Sequence, residues 1–442
     1  PLGPTHADRS TYQCLSVHAG NPRLISFAQL EAWGWLPRTA GLVPANGGVR
    51  QALLAQAREI FLTQGGAPEM EAFDAAHAFW LEDYALYVAL RQEHAHRAWW
   101  QWPEPVRDRA PAALAEARSR HADDLALVRF EQFVFFRQWH ELRRAAQTRG
   151  VQLFGDLPIF VAHDSADVWA QRDYFDLDAA GQPRVVAGVP PDYFSPTGQR
   201  WGNPLYNWTR LQADGFRWWI ERLRTQFDLF DLVRIDHFRG FEACWQIPAD
   251  EATAINGRWM PAPGEALFQA LQNEFGTLPV VAEDLGLITP AVHLLREQFG
   301  FPGMRILQFA FDGGADNPYL PHNHEVNSVV YTGTHDNNTT LAWFESLSVE
   351  QQCSVLDYLG HPGEPMPWPL MRAAFASVAR FAILPMQDVL QAGPGHRMNI
   401  PGSNTDNWQW RFTWDQIPPG LAARLRGLAQ RYGRLDQTRA NV

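Results

Sequence analysis

The feature that most constrains this chain is a series of short apolar runs, separated by helical stretches, that begins near residue 151. Runs without polar alternation are typical of strands buried on both faces in a parallel sheet. Strands that alternate with helices indicate an α/β fold. The runs lie at 151–154, 232–235, 279–282, 304–309, 328–331 and 381–384, with helical patterns at 215–227, 264–275 and 290–299.

Acidic residues come directly after several of these runs. They lie in the segments 155–156 (GD), 236–237 (DH), 283–284 (ED) and 334–336 (THD). In a closed barrel the carboxyl ends of all the strands surround the active site, whereas an open doubly wound sheet has its site at one switch point. Because the acids are spread over several strand ends and no GxGxxG follows a strand, we predict a (β/α)8 TIM-type barrel.

The region before residue 151 has a different pattern. Apolar residues recur at helical spacing over 51–62, 71–90 and 112–149, and simple helix packing accounts for its aromatic side chains. The pattern therefore predicts a mostly helical region over about residues 45–150.

Composition excludes some classes of partner. The chain has 442 residues and a net charge of −11, which argues against a partner with a phosphate backbone. We find no apolar run long enough to span a bilayer, so we predict neither a nucleic-acid nor a membrane partner. The three cysteines are an odd number with no CxxC spacing, which favours a reducing, cytoplasmic location. The HxH pair His322 and His324 is expected on the surface.

The segment 234–236 contains the first candidate catalytic acid. In a strand, Arg234 and Asp236 point to the same face. A guanidinium at that distance favours the ionised carboxylate and lowers its pKa, as a carboxylate nucleophile requires. A purely structural Arg–Asp pair at the end of a strand is the alternative.

Two further acids complete the set. Glu283 ends an apolar strand, and partial desolvation there is expected to raise its pKa towards that of a general acid, while Asp284 faces the other way and is structural. His335 and Asp336 are suited to holding sugar hydroxyls and stabilising positive charge. A metal-ligand pair is the alternative, but no HExxH or calcium loop supports it.

Carboxylates with opposed pKa values indicate glycoside chemistry. The 19 tryptophans fit sugar ligands, although a Trp-rich core explains them equally well.

Several longer motifs in the sequence are specific enough to indicate a protein family. They are 1–5 (PLGPT), 19–22 (AGNP), 80–86 (WLEDYAL), 155–162 (GDLPIFVA), 188–195 (GVPPDYFS), 198–204 (GQRWGNP), 397–402 (RMNIPG) and 407–408 (NW). In this order and placement they resemble the amylomaltase family, also called 4-α-glucanotransferase or disproportionating enzyme. The resemblance covers nearly the whole chain, and it implies a further segment before Pro1 that includes the first barrel strand. It also implies a large, mostly helical insertion between early strands, with the regions 1–44 (barrel, early loops), 45–145 (helical insert subdomain) and 146–442 (barrel with substrate-groove loops).

The resemblance implies roles for individual residues. Asp236 matches the family's nucleophile, Glu283 its acid/base and Asp336 its transition-state-stabilising acid. The implied substrate contacts are Arg234, His237, His335, Trp201, Gln199, Tyr12, Asp156, Asp312 and Asn407. The family uses no cofactor and no metal.

The implied reaction is transfer of α-1,4-glucan segments from donor to acceptor maltooligosaccharide by a retaining double displacement. In such a mechanism the carboxyls of Asp236 and Glu283 are expected about 5–5.5 Å apart. Two alternatives remain open at this stage, since acceptor preference depends on loops rather than on the fold. They are an α-glucan hydrolase on the same scaffold and an inactive, truncated glucan-binding fragment.

Overall fold

The computed structural model describes residues 1–38, 47–192, 195–403 and 405–435, and these residues form a mixed α/β fold. They divide into two compact units, Pro1–Pro279 (unit 1) and Val280–Val442 (unit 2). The predicted boundary at 44/45 and the aromatic pair Tyr193 and Phe194 lie outside the described residues. Within the described ranges, no helix combines the length and apolarity that crossing a membrane requires.

The strands of unit 1 form two sheets. Strands β1 (Phe154–Pro158) and β4 (Leu232–Asp236) pair in parallel. Their register places Asp156 opposite Arg234 and Pro158 opposite Asp236. The other sheet is antiparallel, with the order β3-β2-β5-β6. The bounds are β1 (Phe154–Pro158), β2 (Val185–Val189), β3 (Gln199–Pro204), β4 (Leu232–Asp236), β5 (Ala243–Pro248) and β6 (Arg258–Pro261).

Helices make up most of the rest of unit 1. An aromatic cluster that includes Trp35, Phe61 and Phe133 packs between the early helices and the long helix α7. The bounds are α1 (Phe27–Ala32), α2 (Gly47–Thr63), α3 (Ala67–Ala76), α4 (Ala78–Glu93), α5 (Glu104–Arg107), α6 (Pro111–Arg120), α7 (Ala122–Gln147), α8 (Ala166–Ala170), α9 (Trp208–Ala213), α10 (Arg217–Leu229) and α11 (Gly264–Phe275).

Unit 2 is organised around parallel strands. Strand β9 (Ser328–Tyr331) pairs with β8 (Gly303–Ile306) on one side and with β10 (Phe381–Ile383) on the other. Val355 and Leu370, from two different helices, pack in one buried cluster with Val330 of β9. The strands are β7 (Val280–Ala282), β8 (Gly303–Ile306), β9 (Ser328–Tyr331) and β10 (Phe381–Ile383). The helices are α12 (Pro290–Gln298), α13 (Thr340–Ser346), α14 (Val349–Tyr358), α15 (Trp368–Ala376), α16 (Met386–Val389) and α17 (Leu421–Arg431).

The predicted elements are confirmed with four corrections of detail. The strand predicted at 304–309 ends at Ile306, and Leu307–Phe309 form a short 3-10 helix instead. The strand predicted at 151–154 begins only at Phe154, because Val151 still donates its N–H to Ala146 at the end of α7. The helices predicted at 71–90 and 112–149 are each broken, at His77 and at His121, where the backbone leaves helical geometry. At His77 the ring nitrogen also bonds the carbonyl of Phe73.

The prediction for the HxH pair is half wrong. His322 is exposed, but His324 is buried, with its Nδ1 2.7 Å from the Ser377 hydroxyl and its Nε2 2.8 Å from the Tyr319 carbonyl. A bare sequence pattern cannot report burial, because burial depends on the residues that pack against the loop.

Candidate active site

Charged side chains cluster at the carboxyl end of strand β4 in unit 1. Arg234 donates from Nη2 to Asp236 Oδ1 at 2.7 Å, and from Nη1 to both carboxylate oxygens of Asp156 at 2.9 Å. The two-residue period of β4 brings Arg234 and Asp236 to one face, and the β1–β4 register brings Asp156 beside Arg234. One buried guanidinium is therefore shared by two carboxylates.

Tyr12 extends this cluster. Its hydroxyl donates a short hydrogen bond to Asp156 Oδ2 and lies 3.4 Å from Arg234 Nη1. Burial, reinforced by the neighbouring Asp156 charge, raises the pKa of Tyr12 well above its usual value. The phenol therefore stays protonated and acts as a donor at any working pH. The structure brings Tyr12, Asp156, Arg234 and Asp236 together, as the resemblance implies.

His237 follows Asp236 in a left-handed backbone conformation, with φ 54°. For a residue other than glycine this is uncommon, and it turns the imidazole away from the strand direction. The ring lies edge-on to Trp201, with 4.8 Å between ring centroids. Burial, with a smaller effect of Arg239, lowers the pKa of His237 to about 3, so the imidazole is neutral near pH 7.

The Trp201 side chain is held by Gln199. The indole Nε1 donates to Gln199 Oε1 at 3.1 Å, within strand β3. The predicted pair Gln199 and Trp201 therefore acts together, since the amide fixes the ring that faces His237.

In unit 2, Glu283 and Asp284 follow strand β7 and point in different directions. Glu283 is largely buried, and its Oε1 accepts the Leu285 N–H at 2.9 Å. The Asp284 side chain is fully buried, accepts the Met304 N–H at 2.7 Å, and lies 3.5 Å from Arg296 and 3.7 Å from Arg305. A Cβ at Gly303 would lie 2.4 Å from Asp284 Oδ2, so the glycine leaves the room that Asp284 needs. This confirms the prediction that Asp284 is structural.

Asp336 lies in a loop after β9 and is oriented by a second loop. The Asn399 side-chain amide donates to Asp336 Oδ1 at 2.6 Å, and Arg397 donates to the Asp336 carbonyl. The Asn399 backbone N–H donates to the His335 carbonyl at 3.1 Å. His335 Nε2 is 3.4 Å from Asp336 Oδ2, and its ring lies 5.4 Å from that of Trp408.

The two ends of the Asp336 loop are tied to one buried carboxyl, that of Asp388. Thr332 and Thr340 donate their hydroxyls to Asp388 Oδ2 at 2.6 Å, and the Thr340 N–H donates to Oδ1 at 2.7 Å. Burial raises the pKa of Asp388. Sequence reasoning missed both Asp388 and Asn399. The signal for Asn399 was its place inside the characteristic segment 397–402, whereas nothing in the sequence marks Asp388.

Two predicted contacts have different surroundings. Asn407 is buried; its Oδ1 accepts the Ile400 N–H at 2.9 Å and its Nδ2 donates to the Ser403 carbonyl at 2.7 Å, so it shapes the loop. Asp312 is exposed beyond the short helix Leu307–Phe309, and its carbonyl accepts from Asn317 at 2.8 Å. The Asp312 carboxylate is accessible from solvent.

Comparison with known proteins gives a consistent result. Residues 1–416 match the family model described as 4-alpha-glucanotransferase. The chain is 49% identical to the 4-alpha-glucanotransferase of Thermus thermophilus, over 98% of this chain and 91% of that protein. It is 46% identical to the 4-alpha-glucanotransferase of Synechocystis, over 98% of this chain and 90% of that protein.

Two solved structures are also similar to this chain. The amylomaltase from Streptococcus agalactiae in complex with acarbose superimposes with a TM-score of 0.95 at 35% identity, over 99% of this chain and 91% of that chain. The amylomaltase from Corynebacterium glutamicum gives a TM-score of 0.71 at 18% identity, over 92% of this chain and 64% of that chain, and supports the fold alone.

Proposed function

The chain belongs to the 4-α-glucanotransferase family, and from this premise we propose that it moves α-1,4-glucan segments from donor to acceptor maltooligosaccharides by a retaining double displacement. The observation that carries the mechanism is the Arg234 guanidinium shared by Asp156 and Asp236. It holds one Asp236 oxygen 2.7 Å away, which keeps the carboxylate charged and aimed for nucleophilic attack.

The proposed roles of the three acids follow from their surroundings. Asp236 attacks the anomeric carbon while Glu283 gives its proton to the glycosidic oxygen, and a glucan–enzyme ester forms as the leaving sugar departs. Glu283 then takes the proton of an acceptor 4-hydroxyl, which attacks the ester and regenerates Asp236. Asp336, oriented by Asn399, stabilises the positive charge that develops on the sugar ring.

The sugar-holding contacts are proposed on the same basis. Neutral His237 can exchange hydrogen bonds with sugar hydroxyls, and the indole of Trp201 offers a flat apolar face. In unit 1, Tyr12 and Asp156 lie beside Arg234, and Gln199 holds Trp201. In unit 2, His335 lies beside Asp336, and Asn407 shapes the loop at Ile400. Asp312 offers an exposed carboxylate for hydroxyls further along the glucan.

The finer architecture is also a proposal. A (β/α)8 barrel is supported by the parallel strands β1/β4 and β8–β9–β10 and by the superposition on an amylomaltase. We propose that residues 1–44 and 146–442 form this barrel and that 45–145 form its helical insert. The odd cysteine count supports a cytoplasmic location.

Incubation of the purified protein with maltotriose tests the function. We expect glucose together with maltooligosaccharides longer than maltotriose, and loss of both products in Asp236→Asn, whose neutral amide cannot form the ester. Glucose and maltose alone would indicate a hydrolase. Binding of maltooligosaccharides without turnover would indicate a binding protein, and either result would overturn the proposal.

A further inference from the structure

The segment that follows the Asp336 region carries aromatic side chains at every second position: Trp408, Trp410, Phe412 and Trp414. We call the last three the aromatic ladder. The ring centroids of Trp410 and Phe412 are 5.8 Å apart, and those of Phe412 and Trp414 are also 5.8 Å apart. Trp414 is 82% exposed, so almost its whole indole faces solvent.

The ladder is anchored to the candidate active site within unit 2. The Trp408 N–H donates to the Met398 carbonyl at 2.8 Å, and the Trp408 ring contacts that of His335, the neighbour of Asp336. Trp410 is held in turn, because its Nε1 donates to His396 Nδ1 at 3.1 Å. The ladder therefore follows directly on Trp408, which contacts His335, and its first ring is bonded to His396, the neighbour of Arg397 in the loop that holds Asp336.

Core packing does not account for the ladder. Ile417, which follows shortly after, packs on a buried cluster that contains Trp368 and Leu421, whereas Trp414 stays exposed. Leaving an indole in water forgoes the favourable free energy of burying it. Trp410 and Phe412 are half-buried beside Trp414, and apolar surface that stays accessible in this way typically marks a binding site.

The chemistry of the ladder fits a sugar chain. Aromatic faces stack on the apolar C–H faces of glucosyl rings, and an exposed indole N–H can donate to a sugar hydroxyl. The ladder is contiguous with the site at which the glucan is to be cleaved. This continuity favours a glucan over a protein as the occupant.

We propose that the aromatic ladder (Trp410, Phe412 and Trp414) binds glucosyl units of an α-1,4-glucan that are remote from the bond that is cleaved. The inference rests on the proposed function and deepens it, since it assigns these three side chains to glucosyl units that lie beyond the cleaved bond. A ladder of this kind contributes affinity only when the glucan is long enough to reach it.

Direct binding tests the proposal without turnover. In the Asp236→Asn background, the dissociation constants of maltotriose and of short-chain amylose are measured by calorimetry. We expect Trp414→Ala and Phe412→Ala each to weaken amylose binding about three- to tenfold, the contribution of one aromatic contact, and so to lower the amylose-to-maltotriose affinity ratio. The matched control is Leu294→Ala, which removes a 66% exposed apolar side chain on α12 of the same unit and is expected to change neither constant.

Other outcomes are decisive as well. An unchanged amylose-to-maltotriose affinity ratio in both Trp414→Ala and Phe412→Ala would overturn the proposal. A change in sedimentation with unchanged amylose affinity would assign the ladder to contact between copies of the chain, and would also overturn it. If the unsubstituted enzyme fails to disproportionate maltotriose but the ladder variants still weaken amylose binding, the ladder's binding role stands and the proposed reaction fails.

Discussion

The two aspartates proposed for catalysis are held in opposite ways. In unit 1, Asp236 lies at the end of a strand and is bound by a buried guanidinium, which Asp156 also contacts. In unit 2, Asp336 lies in a loop, its side chain is 41% exposed, and a neutral amide from Asn399 binds it. The first is positioned by charge and strand register, and the second by loop-to-loop hydrogen bonds.

This difference fits the two proposed roles. A nucleophile must be charged and fixed before the substrate arrives, and a guanidinium on the same strand supplies both conditions. An acid that stabilises positive charge on the sugar ring has to remain accessible to the substrate, and a position in a loop permits this. The comparison predicts that removing a charge in unit 1 has a larger effect than removing a hydrogen bond in unit 2.

The largest effect is expected for Arg234→Met. Removing one partner of a buried charge pair typically costs about 3–5 kcal/mol, here because Asp156 and Asp236 are left as neighbouring negative charges without their shared cation. We expect kcat/KM for maltotriose to fall roughly 100- to 5,000-fold on that basis, measured from initial rates of glucose release. The control is Arg234→Met combined with Asp156→Asn, which relieves the repulsion and should recover thermal stability but not activity. Activity within tenfold of the unsubstituted enzyme would show that the guanidinium is not what prepares Asp236.

A second prediction concerns a buried carboxyl of unit 1 that is placed differently from Asp236. Burial raises the pKa of Glu131, on α7, from 4.5 to about 7, and the charge of Arg50 offsets this only in part. The folded state binds the proton more tightly than the unfolded state, so the carboxyl lowers stability as pH rises from 4.5 through 7. We expect Glu131→Gln to raise the unfolding free energy by about 3 kcal/mol at pH 8 and by much less at pH 5.

Urea unfolding at the two pH values measures this effect. Glu116→Gln is the matched control, because the Glu116 side chain is 77% exposed and its substitution should not change the pH dependence. A Glu131→Gln gain of equal size at pH 5 and pH 8 would show that the effect is not one of proton binding.

A smaller effect is expected for Asn399→Ala. It removes the hydrogen bond to Asp336 Oδ1 but keeps the backbone bond to His335. A hydrogen bond to a charged group is worth about 1.5–3 kcal/mol, so kcat should fall roughly 10- to 100-fold with little change in KM. Asn399→Asp, which places a like charge against Asp336, should be worse than the alanine variant. Equal activity of the two variants in the maltotriose assay would exclude this orienting role.

The smallest effect is expected for Tyr12→Phe. The phenol donates to Asp156, which accepts from Arg234, which in turn donates to Asp236, so three hydrogen bonds separate Tyr12 from Asp236 along this route. Loss of one outer hydrogen bond costs about 1 kcal/mol, which corresponds to a fall in kcat/KM of roughly fivefold. The ratio of transfer to hydrolysis should stay the same. A loss as large as that in Arg234→Met would mean that Tyr12 contacts the reacting sugar directly.

Sequence reasoning was accurate where local pattern and register decide the structure. The period of two in β4 is enough to place Arg234 beside Asp236, and the strand ends indicate Glu283 and Asp336. It was inaccurate at element boundaries, as at the start of β1 and the break at His77, where hydrogen bonds back to Ala146 and Phe73 change how the helix ends. The exposed position assigned to His324 failed because Ser377, distant in sequence, buries and bonds its ring.

The sequence by itself determined the alternation of strands and helices, the acids at the strand ends, the motifs that identify the family and the aromatic period of residues 408–414. These depend on residue types and short spacings, which a linear pattern records. Only the tertiary structure decided that Asp156 shares the Arg234 guanidinium, that Asn399 and Asp388 hold the Asp336 loop, and that Trp414 stays in solvent. Each of these depends on contacts between residues far apart in the chain, or on what does or does not cover a side chain, and those are fixed only when the chain packs.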